Sequence, residues 1–423
     1  MADDPRAEGE RLLDGFRAAS RWLSRAVHPL IRVGRGSRGV RPGPSLWRGR
    51  RAAVLVALAV AIAAAVGYVV LQGPAGWRVV SGSGIRGLTA VTCPRSDDCW
   101  AVGANTVAHY SGGSWAAFPP AAVAAPGYNL FGIACIGPGD CWAVGNVTSG
   151  NGTLPLLENY SEGGGTVVHG PTIAAWKPGW AAGLGSISCV PPGDCWAVGS
   201  VTSQLPSEPY EEPLVEHYSG GTWSVADTPR LAEPAGWLTA VTCTDADNCW
   251  ALGDVQSGQP LVERYSEGGW TIVASPTISE GGMLNAVACT DPTDCWAVGS
   301  TEREVGDGYV PEPLVEQYAR GAWTVASTPA RDWGVLAGVA CVSSSQCWAV
   351  GSMQEIEAIA VSASSSPSPP PPLIERFEGG TWAFVTAPST PGELTGVACG
   401  VTGDCWAVGP GNYTGPSLIE AVQ

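Results

Sequence analysis

The chain has 423 residues, 45% of them hydrophobic, with 57 Gly and 35 Pro; this composition suits a turn-rich all-β protein and excludes a helix-dominated one. Charge is split along the chain, since residues 1–51 hold 12 Arg and 5 acidic residues whereas residues 73–423 hold 10 basic and 33 acidic ones, a net of −23. Such a surface repels phosphate backbones, so nucleic acid is excluded as the expected partner of the larger part.

The basic N-terminal segment places Leu12, Leu13, Phe16, Leu23, Ala26, Val27 and Leu30 near one helical face, with Arg11, Arg17, Arg21, Arg25 and Arg32 on the other. Either this is an amphipathic helix lying on anionic lipid or it is a solvated tail, followed by the Gly/Arg/Pro-rich spacer 34–44. Ala52 to Leu71 then runs twenty residues without a charge, long enough as a helix to cross a hydrocarbon core of about 30 Å. A transmembrane helix is therefore expected over 52–72. Arg48, Arg50 and Arg51 at its N-terminal flank fix the orientation: residues 1–51 form a cytoplasmic tail and residues 73–423 lie outside. A cleaved signal peptide ending near Ala63-Ala64-Ala65 is the competing reading, for which a 51-residue leader is long.

Beyond residue 73 one pattern recurs seven times: Leu-x-x-Val/Ile-x-Cys-x5-Cys-Trp-Ala-Val/Leu-Gly. It pairs Cys93 with Cys99, Cys135 with Cys141, Cys189 with Cys195, Cys243 with Cys249, Cys289 with Cys295, Cys341 with Cys347 and Cys399 with Cys405, using all 14 cysteines. Strict pairing fits an oxidising exterior. Disulfides closing these short loops are worth about 2 kcal/mol each on chain-entropy grounds. Metal sites would need further ligands that four His cannot supply to seven places; no metal and no cofactor is expected.

Each repeat reads as four short strands, A to D. In the third, Leu184 to Cys189 is A, Cys195 to Gly199 is B, Leu214 to Tyr218 is C, and Thr222 to Val225 is D after the turn Ser219-Gly220-Gly221. The second repeat carries Val167 where strand D otherwise has Trp. The last repeat ends at Gln423 without a strand D, and Gly76-Trp77-Arg78-Val79-Val80 supplies the missing Gly-x-Trp-x-Val. Seven blades of four antiparallel strands, closed by residues 76–81, make an all-β, seven-bladed β-propeller. Trp-Ala-Val-Gly-Ser followed by Tyr, Gly-Gly, Trp and Pro resembles the kelch or galactose-oxidase-like propeller repeat over residues 76–423, and Ser219 to Trp223 is similar to the Asp-box turn without its Asp.

Turns A–B and C–D are short and nearly constant, while the B–C and D–A loops vary and emerge on the opposite face. Insertions in repeat folds mark the binding side. On that face lie Tyr128, Trp176, Trp180, Trp237 and Trp333, with Tyr210 and Tyr309 in long B–C loops. Two readings stand for these rings: stacking on a carbohydrate or a protein ligand, or covering the apolar top of strand A. Glu211, Glu212, Glu302, Glu304, Asp307 and Glu312 add acidity there. The expected function is a membrane-anchored, extracytoplasmic binding or protein-interaction module. The alternative is a glycosidase or lyase using two of these rim carboxylates. The run Ser364 to Pro372 is a polyproline-like insertion in the sixth repeat, read as a spacer or as a peptide lure.

Overall fold

The computed structural model describes residues 76–423 apart from 81–83, 122, 124–126, 151, 162–163, 174–179, 204–210, 234, 306–307, 330–332, 355–368, 389, 401, 412–416 and 423. The tail 1–51, the expected membrane helix over 52–72, Trp176, Tyr210 and Asp307 lie outside the described residues. No helix occurs among the described residues.

Among the described residues the strands sort into seven four-stranded antiparallel units in chain order, spanning 88–117, 128–168, 181–225, 236–272, 282–325, 334–384 and 396–422. Unit 3 shows the pattern. Ala181–Val190 pairs with Asp194–Thr202, which pairs with Glu211–Ser219, which pairs with Thr222–Val225. These strands outrun their sequence-predicted bounds by a few residues, because polar ends continue the ladder beyond the apolar core that marks them in the sequence. A single parallel bridge, Ala181 to Thr153, joins units 2 and 3. The seventh unit takes its outer strand from the other end of the chain: Arg78 pairs with Ala421 and Val79 with Glu420.

The recurring motif has a physical role at each position. The cysteines of each pair sit opposite one another in the A–B register, as Cys189 does to Cys195, and all seven disulfides are formed. Strand B is buried on both faces, with Cys195, Ala197 and Val198 at 0% exposure, so its sequence is continuously apolar where a half-exposed strand would alternate. A Cβ at its terminal glycine, Gly199, would collide with the Gly183 carbonyl of strand A. The C–D turns take Gly-Gly, Glu-Gly or Arg-Gly with both residues at positive φ, as at Gly220 and Gly221 or Glu267 and Gly268, which matches a type I′ hairpin.

Between units the core is aromatic. The strand B tryptophan of one unit meets the strand D tryptophan of the next edge to face: Trp142 with Trp223, Trp196 with Trp270, Trp250 with Trp323, and Trp296 with Trp382, all at 5.3–5.4 Å. Trp348 meets Trp77 at 5.3 Å and Trp406 meets Trp115 at 5.5 Å, so the same contact carries the ring past the chain termini. Only the seam from unit 1 to unit 2 departs. There Val167 replaces the tryptophan, and Phe118 and Tyr160 surround Trp100 instead. Each of the seven hydrophobic clusters found among the described residues bridges two successive units, the last joining unit 7 to unit 1.

If Trp77 is an ordinary member of this series, Trp77→Ala destabilises the protein as much as Trp323→Ala, by about 3–5 kcal/mol, measured by denaturant unfolding with the disulfides intact. A near-neutral Trp77→Ala would mean that the ring does not close through the N-terminal strand.

Candidate functional site

The variable face gathers the starts of strands A and C and the ends of strand B. Among the described residues, a concavity of about 510 Å³ lies across units 2, 3 and 4, lined by Phe131, Asn146, Thr153, residues 181–185, Gly199, Ser200, Thr202, Glu211 and residues 237–239. The cause is local to unit 3. In strand A the residues on either side of the buried leucine belong to the face that leucine does not occupy. The other units carry a side chain after the leucine and, apart from Gly87 of unit 1, before it, as in Asn129 and Phe131, Trp237 and Thr239, or Met283 and Asn285; unit 3 alone has glycine at both, Gly183 and Gly185. Phe131 (41% exposed) and the half-buried Trp237 flank the resulting notch.

The glycines also interrupt a girdle of hydrogen bonds. The residue after the strand A leucine donates from its side chain to the strand A backbone of the next unit: Thr89 to the Leu130 carbonyl (2.8 Å), Thr239 to Leu284 (2.7 Å), Asn285 to Leu336 (2.8 Å) and Thr395 to Thr89 (2.9 Å). Phe131, Gly185 and Ala337 have no such donor. Between units 3 and 4 the bridging moves deeper, where Ser186 Oγ accepts from Val241 N–H and Ser188 Oγ from Cys243 N–H. Among the described residues no side chain caps the carbonyls of Leu184 and Leu238, which both line the notch.

Trp237 is held from below. Its indole N–H donates to Asp254, which also accepts the Leu284 backbone N–H. Asp254 is 2% exposed and stands where units 3, 5 and 6 have Ser200, Ser300 and Ser352. Burial pushes its pKa up to about 7 against the lowering effect of these two hydrogen bonds.

The other aromatic candidates have different positions. Tyr128 (7% exposed) and Trp180 (4%) are core residues of the seams before units 2 and 3, so they cover the top of strand A rather than project from it. Burial, reinforced by the nearby Glu158 carboxyl, pushes the Tyr128 phenol up to about 12. Trp333 is half-buried at a positive φ of 99°. Tyr309 is 58% exposed, in strand C of unit 5. Of the rim carboxylates, Glu211 accepts from Thr202 (3.0 Å) and Glu312 pairs with Arg303. His109 and His217 are engaged on the scaffold, bonded to Asp98 (2.7 Å) and Asp194 (2.9 Å) and stacked on Trp100 and Trp196.

Sequence reasoning missed a second set of carboxylates. Glu158, Glu216, Glu263, Glu316, Glu375 and Glu420 occupy one position of strand C, opposite the alanine of Trp-Ala-Val, and all are 0% exposed. Unit 1 has Ala108 there. Tyr160 donates to Glu158, and Ser275, between units 4 and 5, donates to Glu316 at 2.9 Å; Glu216, Glu263, Glu375 and Glu420 have both oxygens without a hydrogen-bond partner among the described residues. Burial raises the pKa of all six, to about 8 for Glu216 and about 7 for Glu263, Glu316, Glu375 and Glu420. A raised pKa in a cleft ordinarily points to a catalytic group. A group repeated around six seams is instead part of the scaffold.

No family model and no curated protein matches this chain. Solved structures do. One is YCF48 bound to D1 peptide, 13% identical, with a TM-score of 0.52 over 82% of this chain and 95% of that one. Another is a chain of the mitotic checkpoint complex, 11% identical, with a TM-score of 0.50 over 82% of this chain and 91% of that one. Both are β-propellers, and the fold of this chain is a β-propeller.

The seam glutamates set a pH dependence of stability. Between the ordinary carboxylate pKa and about 7 to 8 the folded protein binds more protons than the unfolded chain, so stability falls as pH rises through that window. Thermal midpoints should be higher at pH 5 than at pH 8. Glu263→Gln should gain up to about 3 kcal/mol at pH 8 and little at pH 5; a pH-independent effect would contradict the assignment.

Proposed function

We propose that this chain is a membrane-anchored, kelch-like seven-bladed β-propeller, with residues 1–51 cytoplasmic and 73–423 outside the cell, that binds a protein partner through its variable face. The observation that carries the reading is the division between the two faces. The A–B and C–D turns repeat around the ring as disulfide-closed or glycine turns, whereas the opposite face is irregular and contains the notch between Phe131 and Trp237. A repeated surface offers the same chemistry at every blade, and selective recognition needs a place where the blades differ.

Seven disulfides and the change from a basic to an acidic chain at the apolar segment support the exterior location. Charge selects the partner class. A net of −23 over residues 73–423 favours a segment rich in Lys and Arg. The YCF48 structure, which shares the propeller fold, holds a D1 peptide.

Two measurements test this. Protease added to intact cells should degrade the propeller while an N-terminal tag on residue 1 stays protected; loss of the tag with the propeller intact would reverse the orientation. A photo-crosslinking side chain at Tyr309 or Thr239 should give protein adducts, and one at Asp97 in a disulfide turn should not. Equal crosslinking from both faces would contradict the division.

A further inference from the structure

We infer that the notch is the anchor for a basic side chain, a lysine ammonium or an arginine guanidinium carried on an extended segment of the partner. The inference deepens the protein-binding reading and rests on it. Its ground is the donor and acceptor balance of the site. The Leu184 and Leu238 carbonyls, like those of Leu88 and Leu394 but unlike those of Leu130, Leu284 and Leu336, have no side-chain cap among the described residues, and only the first two line the notch. Glu211 stands at the same opening, its carboxylate accepting among the described residues from a single hydroxyl, that of Thr202. The notch thus holds one carboxylate and two uncapped carbonyls, its side-chain donors are the neutral Asn146, Thr153, Ser200, Thr202, Thr239 and Trp237, and no Lys, Arg or His lines it.

A neutral saccharide brings more acceptors than donors, whereas ammonium and guanidinium bring donors only. The aromatic rings point the same way. Phe131 and Trp237 line the notch on either side of the glycines, and an aromatic face attracts a cation through its quadrupole, most strongly at Trp. Asp254 takes the Trp237 indole N–H, which ties one edge of that ring to the scaffold. At Gly185 the floor is backbone, where a Cβ would meet nothing closer than the Thr239 carbonyl at 3.5 Å, so an aliphatic stem can lie there, whereas Gly183 is covered by the Asn146 side chain.

The repeat itself supplies the test variant. Units 1, 4 and 7 carry Thr where unit 3 has Gly185, and a Cβ at Gly185 would meet its nearest neighbour, the Thr239 carbonyl, at 3.5 Å, an ordinary contact. Gly185→Thr should therefore fold, fill the notch and cap the Leu238 carbonyl. The experiment is calorimetric titration of the full-length chain in detergent, disulfides intact, with the peptide Gly-Ser-Lys-Ser-Gly, its Arg and norleucine counterparts, and a neutral oligosaccharide.

The Lys and Arg peptides should bind, weaken with added salt, and exceed the norleucine peptide by at least about tenfold. Gly185→Thr should keep the thermal midpoint and lose at least about tenfold in basic-peptide affinity, and Glu211→Gln should remove most of the salt dependence. Equal binding of the norleucine peptide, unchanged binding by folded Gly185→Thr, or no binding of either basic peptide overturns the inference. If crosslinking from Tyr309 still captures protein, the face reading survives that failure; if the oligosaccharide alone binds and no protein adduct forms, both fall.

Discussion

The structure depends on one contact repeated around the ring, a tryptophan from the central strand of one blade meeting the edge of a tryptophan from the outer strand of the next. No blade buries its inner strands alone. Trp250 is 1% exposed, with Trp323 and Tyr318 of the following blade against it and Arg264 of its own blade over the ring. Large apolar rings packed edge to face give both buried area and a preferred geometry, so the contact sets the angle between blades as well as holding them. The disulfides act inside each blade, fixing the A–B hairpin that presents the tryptophan. The glycine after Trp-Ala-Val lets strand A pass close enough to be covered.

The same seams house the protein's least comfortable chemistry. Six carboxyl groups sit beside the aromatic contacts with little hydrogen bonding, and burial keeps them protonated well above the ordinary carboxylate range. A protonated carboxyl is both donor and acceptor and costs far less to bury than a carboxylate. The repetition separates scaffold from site more surely than the shift itself does. Asp254 has a comparable shift but occurs once, beneath the one strand A tryptophan that lines the notch.

Much of this was legible in the sequence. The motif spacing specified the disulfides, the Gly-x-Trp-x-Val match assigned Trp77 to the last blade, and glycine pairs located the hairpins. The fate of the loop aromatics was also written there, in parity. Tyr128 lies two residues and Trp180 four before the buried leucine of strand A, hence on its face; Trp237 lies one before, on the other. Proximity to the strand start obscured that distinction. The seam glutamates were visible as the repeated Leu-x-Glu-x-Tyr pattern of strand C, in phase with two core residues, but a charged residue in an alternating strand reads as solvated by default. The notch was signalled by Gly183 and Gly185, whose meaning appears only beside the other repeats, none of which has glycine on both sides of the strand A leucine.

The central claim is that recognition belongs to the face where the repeats differ. Hydrogen exchange of the full-length chain, with and without its bound protein partner, tests it most directly. The account predicts added protection at 181–185, 199–202 and 236–239, with the disulfide turns around 94–98, 244–248 and 342–346 unchanged; protection concentrated at those turns would contradict it.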